Sequence, residues 1–305
     1  MKLSVIICTY NRDKYIYNVL KSVAENDFPK QDYEIVLVDN NSSDSTEAEC
    51  RRFESDYPEV TFRRCEERRQ GLSYARNCGI GAAEGEILLY VDDDATVNPQ
   101  YLRSYHDFFQ AHGDIDAAGG PILPVYETAE PDWMSHYTRQ LVTGKLDLGD
   151  KVREFPRDAF PGGGNAAYRK SVFDRVGYFN VELGRKGNSL IGAEEKDLFD
   201  RMTSHSMRFF YIPTAVLYHI IPEKKLSRDY FQRLTYSIGV SERYRTRNVS
   251  KGKYLKRLLK EGVKWSGTLV LWVGFLLRLQ PRKGNKLVVF RANVTRGLLG
   301  IKKDS

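Results

Sequence analysis

Residues 86–95 read EILLYVDDDA, a short apolar run that ends in three adjacent carboxylates, Asp92, Asp93 and Asp94. Side by side these groups repel one another unless a positive charge sits among them. In an open α/β sheet ligands bind beyond the carboxyl ends of the strands, so acids that follow a buried strand face a site rather than the core. A divalent cation with oxygen ligands suits such a cluster; a solvated acidic turn is the alternative. Two further stretches carry polar groups at ordered spacings. Gly162, Gly163 and Gly164, followed by Asn165, either let the backbone approach a ligand closely or form a plain flexible loop. Residues 194–202, EEKDLFDRM, read as a helix whose first turn carries Glu194, Glu195 and Asp197, where acids complement the helix dipole.

These groups need a frame, and the first hundred residues supply the pattern of one. Residues 3–8 (LSVIIC) form an unbroken β-branched run of the kind buried on both faces of a parallel sheet, and residues 34–38, 60–63 and 87–91 repeat that character. Helix-length segments lie between them at 14–26, 44–55 and 72–83. The alternation predicts an α/β fold with a doubly wound, mostly parallel sheet and right-handed crossovers. Residues 39–45 (DNNSSDS) read as a turn and helix cap after the second strand. Thr9, Tyr10, Asn11 and Arg12 follow the first strand where a dinucleotide-binding protein would place G-x-G-x-x-G, which argues against that class. Beyond Asp94 a helix is expected over 98–112, a loop-rich stretch over 119–164, an apolar run over 214–218 leading to His219, and a long helix over 226–245.

With 305 residues, 41% hydrophobic and 29% charged, the chain is globular and holds one large domain or one domain with an appendage. The first ten residues have too short an apolar stretch for a secretory signal and read as the first strand, so a cytoplasmic location is expected. Cysteines at 8, 50, 65 and 78 show neither a C-x-x-C pair nor a framework spacing, which argues against zinc and against a disulfide scaffold.

Six stretches in order resemble the family 2 glycosyltransferases, an inverting group with the fold called GT-A. They are SVIICTYNR at the start, VDNNSSD at 38–44, GLSYARNCGI at 71–80, VDDDA at 91–95, GGGNAAYR at 162–169 and AEEKDL at 193–198. The resemblance covers about residues 1–220. It implies transfer of a sugar from a nucleotide diphosphate sugar, a UDP-sugar being favoured, to a hydroxyl acceptor, with Mn2+ or Mg2+ neutralising the departing diphosphate. Asp92 and Asp94 match the family's D-x-D, which implies metal contact for Asp94, the ribose or metal shell for Asp92, and a variable middle place in the nucleotide site for Asp93. His219 resembles the histidine that completes the metal shell in many such enzymes. Nucleotide contacts then fall to Thr9, Tyr10, Asn11, Arg12 and Asp39, and Arg76, with its fixed fork of donors, is the candidate to meet a phosphate.

Inversion requires one base to take the proton of the attacking hydroxyl. The family's E-D-x-D-L has that base at its second position, which is Glu195 here, a departure from the commoner Asp that leaves Glu194 as the alternative. Asp197 would orient the helix or bind an acceptor hydroxyl. The resemblance also implies that Gly163, Gly164 and Asn165, with Trp133 stacking on a sugar face or simply buried, border the donor sugar and acceptor. Residues 1–225 are thus expected to form the catalytic domain, 1–95 its nucleotide-binding half and 96–225 its acceptor half.

The remaining residues, 226–305, are expected to form a helical, basic appendage. Residues 245–305 hold sixteen Lys and Arg against Glu261 and Asp304, a charge of +14 in a chain whose total is +7, so the first 244 residues carry −7. Residues 253–260 have the spacing of a basic amphipathic helix, and 265–277 form an uncharged run too short to span a bilayer. That run reads as a buried helix, a shallow re-entrant segment or an interfacial anchor. The pattern predicts an anionic membrane surface as partner, with no nucleic acid. It places the protein peripherally on the inner face of the cell membrane, facing a saccharide or lipid-linked acceptor; a tail packed on protein is the bland alternative. Two other functions compete: a nucleotidyltransferase of similar fold, against which stands the lack of a Gly-rich, Lys-containing phosphate loop after the first strand, and a non-catalytic membrane-associated scaffold, which has no need of Asp92, Asp94, Glu195 and His219.

Overall fold

The computed structural model describes residues 2–156, 159–187 and 189–301; Asp304 and its two preceding lysines lie outside them. The chain divides into two compact units. One comprises the residues up to Val125 with Lys145–Glu182 and Glu194–Ile220, and the other comprises Tyr126–Gly144, Leu183–Ala193 and the chain from Ile221 onward.

The first unit opens with β1 (Leu3–Thr9), α1 (Asp13–Ala24), β2 (Tyr33–Asp39), α2 (Thr46–Asp56), β3 (Phe62–Glu66), α3 (Leu72–Ala82) and β4 (Ile87–Val91). Strands β3, β2, β1 and β4 pair in parallel in that order. The apolar runs of β1, β2 and β4 are buried on both faces: Val5 and Ile7 belong to one cluster with helix α1, and Ile6 to another with helix α3. Strand β3, FRRCE, lies at the sheet edge and is half-buried to exposed; it starts two residues after the start of the expected 60–63 run and carries no apolar run of its own. Beyond β4 come β5 (Ala95–Val97), α4 (Tyr101–Ala111), β6 (Ala117–Gly119), β7 (Ile122–Tyr126), α5 (His136–Thr143), β8 (Arg153–Glu154), β9 (Asn165–Arg169), α6 (Ser171–Val176), α7 (Glu194–Ser204), β10 (Phe209–Tyr211) and β11 (Leu217–Ile221). The main sheet has eight strands in the order β3-β2-β1-β4-β9-β6-β10-β8, with β9 antiparallel to both β4 and β6. A second sheet, β5-β11-β7, sits where the chain leaves the acid triplet.

The 119–164 stretch is less loop-like than its sequence suggests. Helix α5 within it starts from a capping box in which Ser135 and Thr138 exchange hydrogen bonds; threonine takes the place of the usual Glu or Gln, which hides the signal. Cysteines 8, 50, 65 and 78 are free thiols.

The second unit ends in α8 (Glu223–Leu226) and three long helices, α9 (Arg228–Arg247), α10 (Lys251–Leu277) and α11 (Pro281–Leu299). Two segments that differ in sequence character, 253–260 and 265–277, thus belong to one continuous helix. Among the described residues no helix is long and apolar enough to cross a membrane.

Candidate active site

Two loops at the carboxyl ends of β1 and β2 are tied to each other. The Asn11 amide donates to Ser42 Oγ at 3.0 Å, the Ser43 amide to Asn11 Oδ1 at 2.8 Å, and the Arg12 amide to Thr46 Oγ1 at 3.0 Å. Asn11 and Asn41 take left-handed backbone angles, φ 53° and 68°, which asparagine tolerates because its short amide bonds locally. Helix α2 is capped by Asp44, whose Oδ1 accepts from the Thr46 amide at 3.0 Å, rather than by Ser45. Asp39 accepts from the Ser42 amide at 3.0 Å, while Tyr10 stays exposed and Thr9 is buried at the end of its strand. Asn40, which sequence reasoning passed over, clamps the next loop: its Nδ2 donates to the carbonyls of Glu67 (2.7 Å) and Arg69 (2.9 Å), and its Oδ1 accepts from Gly71 (2.8 Å). The D-N-N run after β2 was its signal.

The acid triplet follows β4. Strand β11 pairs antiparallel with β5 so that His219 lies opposite Ala95, and this register brings His219 Nε2 to 3.2 Å from Asp94 Oδ1. Arg12 Nε lies 3.1 Å from Asp93 Oδ1 and its Nη2 3.7 Å from Asp94 Oδ2. The positive charge that three adjacent acids demand is thus partly supplied by Arg12. Burial still dominates at Asp93 and pushes its carboxyl up to about 6, Arg12 opposing and the flanking Asp94 and Asp92 adding to the rise.

These residues fit a divalent ion. Around an octahedral ion with bonds of about 2.1 Å, neighbouring ligand atoms sit roughly 3 Å apart, close to the separation of Asp94 Oδ1 and His219 Nε2. Among the described residues no three His, Cys, Asp or Glu side chains close a cage. Asp94 and His219 would therefore fill part of a coordination sphere and leave the rest to other oxygens, as is usual for ions that act on phosphates.

The glycine loop explains how the triplet and the α7 acids come together. Strand β9 pairs with β4 so that Asn165 lies opposite Val91, which lays the preceding glycines beside the end of β4. A Cβ on Gly164 would fall 2.2 Å from Asp92 Oδ2, and one on Gly163 would fall 1.8 Å from Glu195 Oε1. Two consecutive residues therefore carry the carboxylates of Asp92 and Glu195 directly on their backbone, an approach only glycine permits.

Arg76 is not open to solvent. At 3% exposure it lies beneath α7, with Nη1 2.7 Å from Glu195 Oε1 and 3.1 Å from Glu194 Oε1. Its guanidinium also sits over the rings of Tyr90 and Phe179, at 5.6 and 5.2 Å. Burial alone would lower its pKa, but Glu195, Glu194 and Asp92 hold it well above the ordinary value. The phosphate-binding arginine expected from A-R-N is thus a buried counter-ion of the two glutamates. The residue before this pair, Ala193, has φ 76°, strained for alanine and suited to turning Glu194 and Glu195 into place.

Three other expected residues have different surroundings. Asn165 is completely buried, its Oδ1 accepting from Tyr101 (2.9 Å) and Tyr105 (2.6 Å) and its Nδ2 donating to the carbonyls of Pro121 and Ala215 (both 2.9 Å). With every position of its amide used, it anchors the loop rather than reaching a sugar. Asp197 pairs with Arg201 at 3.0 Å, one turn along α7, and Arg201 in turn donates to the carbonyls of Gly177 and Tyr178. Trp133 belongs to the second unit, where its ring meets Phe231 at 5.3 Å and the Lys286 ammonium at 4.4 Å.

The mostly parallel α/β sheet with its helical C-terminal region is the architecture of the GT-A glycosyltransferases, whose solved structures it matches. The chain belongs to glycosyl transferase family 2, whose model matches residues 4–177. It is 26% identical over 270 residues to the glucosyl-dolichyl phosphate glucuronosyltransferase of Haloferax volcanii, covering 85% of this chain and 83% of that protein. The Staphylococcus aureus poly(ribitol-phosphate) beta-N-acetylglucosaminyltransferase TarS is 37% identical over 112 residues, 37% of this chain and 19% of TarS. The chain thus spans most of one curated relative and about a fifth of the other. The structure of TarS 1–349 in complex with UDP-GlcNAc is 20% identical with a TM-score of 0.56, covering 100% of this chain and 94% of that one. The mannosyltransferase PcManGT from Pyrobaculum calidifontis, in complex with GDP-Man and Mn2+, reaches a TM-score of 0.62 at 17% identity, covering 99% and 88%. These likenesses carry the fold.

Proposed function

We propose that the protein is an inverting glycosyltransferase that moves a sugar from a nucleotide diphosphate sugar, with a UDP-sugar favoured, onto a hydroxyl of a lipid-linked or polysaccharide acceptor. One observation carries the reading: Gly163 and Gly164 bring Glu195 and Asp92 onto adjacent peptide units, so the cation-binding end of the donor and the proton-accepting group belong to one constellation.

Glu195 is the general base. It is partly open, and the Arg76 guanidinium at 2.7 Å fixes one of its oxygens. Arg76 is accordingly a positioning residue for the base. Glu194, buried, meets the same Arg76 nitrogen at 3.1 Å and helps hold the guanidinium in place. Thr9, Tyr10, Asn11 and Asp39 receive the nucleoside, and the stitched loops after β1 and β2 hold its pocket in shape before binding. Asp94 and His219 would hold Mn2+ or Mg2+, with Asp92 toward the ribose or metal shell. When bound, the ion supplies Lewis-acid neutralisation of the departing diphosphate. Asp93, tied to Arg12, keeps the triplet in register. The named substrates of the Haloferax and Staphylococcus relatives support a cell-envelope acceptor. The basic C-terminal helices support peripheral docking on the inner face of the cell membrane, where anionic lipid is exposed.

The test is to supply UDP-, GDP- and other sugar nucleotides with Mn2+ and follow release of nucleoside diphosphate. Release with the cognate donor, lost in Asp94→Ala together with Mn2+-stimulated donor binding, is the expected outcome. Pyrophosphate release from a nucleoside triphosphate would identify a nucleotidyltransferase instead, and no reaction with any donor or triphosphate would leave a scaffold.

A further inference from the structure

Helix α10 is inverted in polarity. Its three buried residues are Arg257, Glu261 and Thr268, whereas Val263, Val270 and Leu277 are 74%, 72% and 80% exposed. At about 100° per residue, Leu255, Leu259, Val263, Val270, Val273 and Leu277 fall within an arc of about 80° directly opposite the arc of Arg257, Glu261 and Thr268. The inward face is held by ions. Arg257 bridges Glu242 of α9 (2.8 Å) and Glu261 (2.7 Å), and Arg291 of α11 reaches Glu261 at 3.0 Å. Trp265 and Trp272 also point inward, donating to Thr295 and Asn285 of α11, both at 2.9 Å. The helix therefore cannot turn its apolar stripe inward without stripping partners from buried charges, which is strongly unfavourable.

We propose that this stripe lies in an anionic lipid bilayer, with the axis of α10 parallel to the membrane plane, so that leucine and valine side chains enter the acyl boundary while lysines meet the headgroups. The inference rests on the membrane reading above and names the surface that makes the contact. In sequence the apolar residues of 265–277 and the lysines of 253–264 look like separate devices; in the fold they are two borders of one face. Lys256, Lys260 and Arg278 are exposed along one flank of the stripe, and Lys253 and Lys264, further round the helix, are exposed as well. The helix is about 40 Å long, so the contact is extended rather than pointlike.

Charge decides against a second copy of this chain as the occupant. Among described residues 245–301 the single acid is Glu261, and it is buried among arginines. Two copies meeting through the stripe would bring their lysine rows together with no acid from this region to offset them. An anionic bilayer meets both the apolar and the basic part of the face.

The experiment uses the full chain with vesicles of phosphatidylcholine alone or mixed with phosphatidylglycerol, at low and high salt, followed by co-sedimentation. The stripe variant carries Leu259→Asn, Val263→Asn and Val270→Asn, and the flank variant carries Lys256→Gln, Lys260→Gln and Lys264→Gln. All six positions are exposed, so melting temperature and circular dichroism should stay unchanged. The wild type should bind anionic vesicles and keep a measurable part of that binding in high salt. The stripe variant should lose affinity by about 100-fold at either salt, as expected for removing three inserted aliphatic side chains. The flank variant should weaken at low salt and match the wild type at high salt. If the stripe variant binds like the wild type and salt releases both, charge alone makes the contact and this inference is wrong while the membrane reading stands. If the wild type binds no vesicle, the membrane reading fails with it. If instead the wild type forms a dimer that the stripe variant dissociates, the occupant is a second copy.

Discussion

The catalytic sheet and the C-terminal helices both bury charged side chains, and they use them for opposite ends. In the first unit Arg76 sits between Glu194 and Glu195 at the edge of a site, surrounded by an apolar sheet whose own pattern is conventional, with Leu, Ile and Val inward. In the second, Arg257, Glu261 and Arg291 form the interior itself, and the aliphatic residues of α10 face outward. A buried ion pair is a weak source of net stability but costly to break. Near a site it fixes the orientation of a reacting group; between helices it fixes which face turns out.

Removing one charge from each cluster separates the two roles. Arg76→Met leaves Glu194 and Glu195 without their shared cation, and should lower stability by about 3–5 kcal/mol and abolish turnover, read by chemical denaturation and by nucleoside diphosphate release. Gly163→Ala and Gly164→Ala probe the same site without removing a charge. The added methyl displaces the carboxylate of Glu195 or Asp92, so kcat should fall about 100-fold; Gly163→Ala also pulls Glu195 Oε1 from the buried Arg76 and should lower the melting temperature, though less than Arg76→Met does. If both glycine variants kept wild-type rates, the close approach of the loop would have no part in catalysis.

The smallest effect belongs to the helices. Glu261→Gln leaves two arginines with a weaker acceptor and should cost about 1–3 kcal/mol, with kcat toward a soluble acceptor unchanged. Burial alone would raise the pKa of Glu261, but hydrogen bonds from Arg257 and Arg291 outweigh it and hold the carboxyl below its usual range. Its contribution to stability is therefore complete above the ordinary glutamate range and is lost as pH falls through the lowered folded value. Denaturation midpoints of the wild type should fall on acidification more steeply than those of Glu261→Gln. Equal slopes would remove Glu261 from the network.

The parts of this molecule that were legible in sequence are those where hydropathy and burial agree. Strands β1, β2 and β4, the acid triplet after β4 and the glycine loop are readable because each is a local signal, whereas the edge strand β3, with charged residues over Phe62–Glu66, is not where its expected apolar run lies. Arg76 was read as a phosphate ligand because its partner Glu194 is 118 residues away in sequence, and a guanidinium gives no local sign of which anion it meets. Asn165 stands beside the glycines yet faces Tyr101 and Tyr105, since alternation along β9 turns it inward. The face of α10 was hidden for a different reason: hydropathy assumes that apolar means inside, and there the ions of α9 and α11 reverse the rule.

The central claim is that Glu195 takes the acceptor proton while the donor is held by other residues. Glu195→Gln keeps the shape of the side chain and a hydrogen bond to Arg76 but removes the base. Measured with the cognate donor, Mn2+ and acceptor, this variant should bind donor within twofold of the wild type and transfer sugar about 10²–10⁴-fold more slowly. Transfer at the wild-type rate would contradict the account.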